Sequence, residues 1–288
     1  MTWLVTGSTG FVGRATVARL VAQGETVLAA TRDPSRAPPG ARAVAWTAGE
    51  ALPLAGVDVV VHAAATRPAR YDDPAEAERC LAVNATATGA LVTAAAAAGV
   101  GRFVYLSAGN AYAPLDRPAR EDDPIDPTGR ATYYLGSKIC GEWWVRAARG
   151  LTTAVLRPGA IYGPGMPPGM VPTFRQRLAA GDVVVVADGG RYRADLVYVD
   201  DVVDATLAAA RGGGSGVWNV GGGRTWTSLE IATGLARALG RPESLIHVDP
   251  PTGAAPGFTA LDVSRARAEL GYTPRDLEVG LAAYVREA

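Results

Sequence analysis

Histidine and cysteine are nearly absent from this 288-residue chain, with two of each. His62 and His247 are too few and too isolated for a zinc site. Cys80 and Cys140 lie 60 positions apart with no metal-type spacing, and such a pair reads as free thiols rather than a bridge. Charge of either sign is not in excess: 28 basic residues balance 28 acidic ones and no long like-charge run appears. The electrostatic footprint expected for nucleic acid or an anionic membrane is therefore missing. Long apolar runs are missing too. Trp3 to Val5 is too short for a signal peptide, and no later segment offers about 18 uninterrupted apolar residues. These absences leave a cytoplasmic protein with a small-molecule partner as the expectation.

What is present is apolar residues at 48% and charged ones at only 19%, enough for a substantial core in one large domain or two small ones. Apolar runs and helical periods alternate from the start: WLVT, a helix over about 11–23, TVLAAT, ARAVAW and VDVVVHAA. A long helix over about 73–98, ended by Gly99, precedes the strand RFVYLS; another over 132–149, ended by Gly150, precedes TTAVLR. The pattern predicts an α/β fold, a Rossmann-type doubly wound parallel sheet over residues 1–162. GPGMPPGM then interrupts regular structure. Beyond it come a helix near 172–180, VVVV, DLVYVDDVVDATLAAA, VWNVG and two terminal helical stretches. These pieces look too short and interleaved for a core of their own. They predict a small substrate-binding cap over 163–288, with segments near 196–222 returning to the sheet domain.

Between the first strand and helix stands TGSTGFVG, with Gly7, Gly10 and Gly13 three apart. Glycine suits a tight turn and close approach of a pyrophosphate, while the helix start supplies free N–H groups and a positive dipole end. Dinucleotide binding by Gly7, Thr9, Gly10, Phe11, Val12 and Gly13 follows. The second strand ends TVLAATRDP, with Thr31 where an acid would meet a free 2′-hydroxyl and Arg32 after it. Arg32 favours NADP(H), with NAD left open; Asp33 either faces the ribose or caps the turn at Pro34.

TYYLGSK places Tyr134 and Lys138 four apart on one helical face. An ammonium close to a phenol favours the phenolate, so the pair suits proton transfer at neutral pH. With TGSTGFVG, VDVVVHAAA, VNATATG, YLGSKICGE, LRPGAIYGPG, DLVYVDDVVDA, WNVGGG and LDVSRARAELGYTP, the chain resembles the extended short-chain dehydrogenase/reductases, which include NAD-dependent sugar-nucleotide epimerases and dehydratases. The resemblance implies Tyr134 as catalytic acid/base, Lys138 as its partner and ribose ligand, and Asn84 as an ordering group of the helix and its proton path. It implies His62, Ala63, Ala64, Ala65, Pro158 and Gly159 as cofactor lining; a purely structural role stays open for His62 and Asn84. It further implies a homodimer through the two long helices.

FVYLSAGNAYA departs from the family's pattern. The catalytic hydroxyl expected four residues before Tyr112 is Ala108, and Ser107 stands one place early, on the opposite strand face unless the loop shifts. Gly109 and Asn110 occupy the positions where 4,6-dehydratases carry an acid pair, which disfavours that reaction. Ala108, Gly109 and Asn110 are candidate substrate contacts. The arginine common before the DLVYVDD-like segment is Ala194, leaving Arg191, Arg193, Arg175 or Arg177 as candidates for a phosphate. The sequence thus points to hydride transfer at a secondary alcohol or ketone carbon of a sugar or sugar nucleotide, by a ketoreductase or an epimerase. The alternative is a non-redox enzyme or cofactor-sensing binder on the same fold.

Overall fold

Runs of Val, Leu and Ala that alternate faces form the parallel sheet at the centre of the computed structural model, which describes residues 1–70, 73–127, 131–212, 214–253 and 257–287. β1 (Thr2–Thr6) passes through the glycine loop into α1 (Phe11–Ala22), followed by β2 (Thr26–Thr31), β3 (Arg42–Ala45) and β4 (Val59–His62). α2 (Pro74–Cys80), capped by the Asp73 carboxylate on the Ala75 N–H, runs through one widened turn at Leu81–Thr86 into α3 (Ala87–Ala97). β5 (Arg102–Leu106), α4 (Thr132–Ala147) and β6 (Thr152–Pro158) complete the first half. Next come β7 (Ala160–Tyr162), α5 (Met170–Ala180), β8 (Val184–Val186), β9 (Arg193–Ala194), β10 (Leu196–Tyr198), α6 (Val199–Arg211) and β11 (Gly216–Val220). The chain ends with β12 (Trp226–Thr227), α7 (Ser228–Ala238), β13 (Ile246–Val248), α8 (Ser264–Leu270) and α9 (Leu277–Glu287).

The large sheet has the order β11-β6-β5-β4-β1-β2-β3, all parallel, so the winding reverses between β1 and β4. A crevice opens at such a switch point, beyond the carboxyl ends of the two strands. Trp3, Val5, Val61, Val104 and Leu156 pack on one face, and Leu4, Val60, Phe103, Tyr105 and Val155 on the other.

Two expectations are revised. The terminal region holds three helices, not two. Its pieces also enclose an apolar core of their own, with Phe174, Leu178, Val184, Ile231, Leu235 and Leu281 buried together. Each piece is short, but α5, α7, α9 and the β8–β13 pair share one interior. Pro74–Ala97 is long and apolar enough by length and composition to cross a membrane, yet half of its apolar window is buried within the fold.

α4 is tied to the sheet by charge as well as packing. The Arg157 guanidinium donates to both carboxylate oxygens of Glu142, at 3.0 and 2.6 Å, with the two side chains 3% and 1% exposed. Burial works to lower the guanidinium's pKa, but the hydrogen bonds and charge of Glu142 outweigh it and raise the pKa further. Replacing Glu142 by Ala leaves the cation buried without its partner. The expected loss in a urea unfolding experiment is about 3–5 kcal/mol.

Candidate active site

Gly7 adopts a left-handed φ of +65°, and a Cβ there would sit 2.7 Å from the backbone of Ala64, at the end of β4. A Cβ on Gly13 would meet the Gly7 carbonyl oxygen at 2.1 Å, so only glycine lets α1 close onto the loop. Gly10 is the N-cap of α1, whose first turn points its free N–H groups into the crevice where a pyrophosphate would lie. Gly7, Gly10, Phe11, Val12, Gly13, Ala63, Ala65, Pro158 and Gly159 line a cavity of about 940 Å³. Among its described lining residues the charged ones are Arg67 and Lys138, both cationic. That lining fits a dinucleotide. Thr9 does not line the cavity, and Ala64 backs the loop instead.

At the far end of β2, Asp33 is consumed locally. Its carboxylate accepts the Ser35 N–H at 3.0 Å and the Ser35 hydroxyl at 2.6 Å, which holds its pKa below the usual carboxylate value. Arg32 is exposed and makes no hydrogen bond or ion pair among the described residues.

His62 is a strut rather than a cleft residue. Its Nδ1 lies 2.6 Å from the Thr6 hydroxyl and its Nε2 2.9 Å from the Thr88 hydroxyl. Because Thr88 donates to the Asn84 carbonyl and Thr6 accepts from the Ala64 N–H, the network assigns the hydrogen to Nε2 and leaves Nδ1 as acceptor. Burial, aided by the Lys138 charge, pushes its pKa down to about 3, so the ring is neutral. The strut ends at Asn84 in the widened helical turn. There the amide accepts from the Thr66 N–H and donates to the Thr66 carbonyl, both at 2.8 Å, and donates to the Ser137 hydroxyl at 2.9 Å. Ser137 in turn donates to the Tyr134 carbonyl. Asn84 therefore fastens the loop after β4 to the first turn of α4.

Tyr134 and Lys138 both line the cavity. Lys138 is 2% exposed, with Nζ 4.2 Å from the centroid of the Tyr105 ring, a cation–π contact. Burial lowers its pKa to about 7, against the pull of Glu142. The Tyr105 hydroxyl, its pKa pushed up chiefly by burial, stays protonated and donates to the Lys138 carbonyl at 3.0 Å.

Ser107 also lines the cavity, but its hydroxyl donates to Glu142 at 3.0 Å. Ala108 packs instead with Leu135, Ile139 and Tyr134, and Gly109 is wedged so that a Cβ would meet Leu261 at 2.6 Å. Neither lines the cavity, which revises their expected place against substrate; Asn110 does line it. Arg191 is revised likewise, because its guanidinium is held by Asp188 at 2.8 Å and the Gly253 carbonyl at 2.7 Å. Arg193 faces a second cavity of about 710 Å³ that shares Asn110 with the first. Arg175 lies over the Tyr284 ring, and Arg177 is exposed outside both cavities. Sequence reasoning missed Glu142, although it stands one helical turn beyond Lys138 in YLGSKICGE; Arg157, Arg67 and Tyr192 carried no local signal.

A family model described as the NAD dependent epimerase/dehydratase family matches residues 3–221. The chain is 30% identical over 302 residues to UDP-glucose 4-epimerase of Mycolicibacterium smegmatis, covering 96% of this chain and 94% of that one. It is 33% identical over 252 residues to 3-diazoavenalumate denitrifying reductase of a Streptomyces species, covering 83% and 82%. The structure of MoeE5 in complex with UDP-glucose and NAD superposes with a TM-score of 0.85 at 29% identity, covering 100% of this chain and 98% of that one.

The neutral histidine strut has a consequence in acid. With its pKa lowered from 6.5 to about 3 in the folded state, His62 refuses a proton that the unfolded chain binds between those values. Stability from this group is full above about 6.5 and falls as pH drops toward 3. Asp195, raised by burial to about 6, acts in the opposite sense, so the comparison must be with a variant. The advantage of the natural protein over His62→Gln in urea unfolding is expected to shrink by roughly 2 kcal/mol between pH 7 and pH 5.

Proposed function

Because the chain belongs to the NAD dependent epimerase/dehydratase family, we propose that it transfers hydride between a nicotinamide dinucleotide and a secondary alcohol or ketone carbon of a sugar-class substrate. It is an NAD(P)-dependent enzyme of the extended short-chain dehydrogenase/reductase type. The observation that carries the reading is the single cavity that joins the glycine cradle to Tyr134 and Lys138.

The nicotinamide, when bound, supplies the hydride acceptor or donor. The remaining work falls to the chain. In the oxidative direction Tyr134 takes the hydroxyl proton as the carbon–hydrogen bond breaks; in reduction it returns that proton to the forming alkoxide. Lys138 holds a positive charge one helical turn away and so favours the phenolate of Tyr134. With Ala108 in place of a hydroxyl, the substrate oxygen loses one hydrogen-bond donor, a deficit on the order of a few kcal/mol rather than the whole acceleration. Asn110, which lines the same cavity, is the neutral polar side chain that we assign to fill the gap.

For the coenzyme we take NADP(H), because Asp33 is occupied by Ser35 while the exposed Arg32 is available to a 2′-phosphate. An exchangeable NADPH favours a ketoreductase over an epimerase that retains its coenzyme. We also place the enzyme in the cytoplasm as a homodimer paired through α4, where Trp143 and Trp144 are 62% and 54% exposed.

Tyr134→Phe is expected to lower kcat by about 10²–10⁴ and leave coenzyme affinity unchanged; unaltered turnover sinks the acid/base assignment. Arg32→Ala is expected to raise KM for NADPH about tenfold or more with KM for NADH unmoved. Equal effects on the two coenzymes would count against the 2′-phosphate reading.

A further inference from the structure

The cap wall of the cleft differs in chemistry from its coenzyme side. Ile161, Tyr162, Met166, Met170, Tyr192 and Ala194 form that wall. Two of the chain's three methionines are here, unbranched side chains that adapt to apolar groups of varied shape. Among the described lining residues no charged side chain comes from beyond residue 138. Arg191 is held by Asp188 and the Gly253 carbonyl, while Arg193, Arg224 and Arg117, the last paired with Asp123, line the second cavity, which shares Asn110 with the cleft. Position 194, where a phosphate-binding arginine would stand, is an alanine only 2% exposed. Arg67 and Lys138 come from the sheet domain instead, one from the loop after β4 and one from α4.

A diphosphate brought against such a wall would shed its hydration with no guanidinium or ammonium to replace it, which is strongly unfavourable. An alkyl or aromatic group gains from the same wall by leaving water. Resting on the hydride-transfer reading above, we propose that the cap end of this cleft recognises an uncharged apolar group. The sugar-class substrate is then carried on a hydrocarbon or aromatic aglycone rather than on a nucleoside diphosphate.

Calorimetric titration of the NADP⁺-saturated full-length protein tests this, with UDP, UDP-glucose, glucose and phenyl glucoside as probes. Phenyl glucoside is expected to bind at least tenfold more tightly than glucose, and UDP and UDP-glucose to give no saturable heat up to millimolar concentration. Met170→Lys is expected to abolish the tenfold preference for the phenyl group, with NADP⁺ affinity measured alongside as the check that the variant is folded. Micromolar binding of UDP or UDP-glucose overturns the inference, as does equal affinity for glucose and phenyl glucoside. Failure of the protein to bind NADP⁺ or NAD⁺ would instead strike at the hydride-transfer reading, so the two failures are distinguishable.

Discussion

The site depends on one cation kept almost out of water. Lys138 lies beneath the cleft at 2% exposure, and desolvation alone would strip its proton were Glu142 not one helical turn below. Glu142 cannot serve Lys138 alone, because it is gripped through both oxygens by Arg157 and accepts from Ser107 as well. The result is an ammonium held partly by a shared carboxylate and partly by the face of Tyr105, poised near neutrality instead of at the usual lysine value. Everything packed around it has to respect that charge. His62, stacked 5.7 Å from Tyr105, stays a neutral ring, and its two threonine partners are hydroxyls, which adapt to whichever tautomer the network imposes.

Seen this way, the widened turn at Leu81–Thr86 has a physical purpose. The Asn84 carbonyl accepts from the Thr88 hydroxyl at 2.8 Å, and widened turns of this kind are frequent at functional sites. The same residue's amide holds Thr66 on one side and Ser137 on the other. One asparagine thus sets the distance between the loop bordering the coenzyme and the helix that carries Tyr134. Such positioning matters because a small misplacement of a proton-transfer group is costly in rate.

Much of this was legible in the chain. Continuous apolar runs and the 3.6 period located the sheet and its helices, since the strands of a parallel sheet are buried on both faces. TGSTGFVG and the Tyr134–Lys138 spacing located the cleft because turn and helix geometry are local properties. What stayed hidden was non-local. Arg157 reads as part of the strand TTAVLR, and nothing near it says that its partner is 15 residues back on α4. Arg191 looked available for a phosphate because Gly253, 62 residues on, approaches it only through loop closure; its other partner, Asp188, is local and was overlooked. The apolar core of the cap was missed for the same reason: short segments declare no interior until they meet.

The two departures from the family's pattern sit in similar surroundings. Ala108 is buried among Leu135, Ile139, Ile125 and Phe258, and Ala194 is buried with Phe174, Leu196 and Ile231. A guanidinium buried among such neighbours without a partner is destabilising, and in the first cluster the polar side chain is that of Tyr134. Each alanine is therefore consistent with neighbours that are apolar for their own packing reasons, and neither reads as an isolated loss. Tyr134 packs against the first cluster while Tyr192 and Met170 pack against the second, so both clusters border the cleft. The charged side chains among the described lining, Arg67 and Lys138, come from the sheet domain, and Ile161, Met166 and Met170 line the opposite wall. Apolar surface gains by leaving water at that wall, whereas an unpaired charge buried there would be costly.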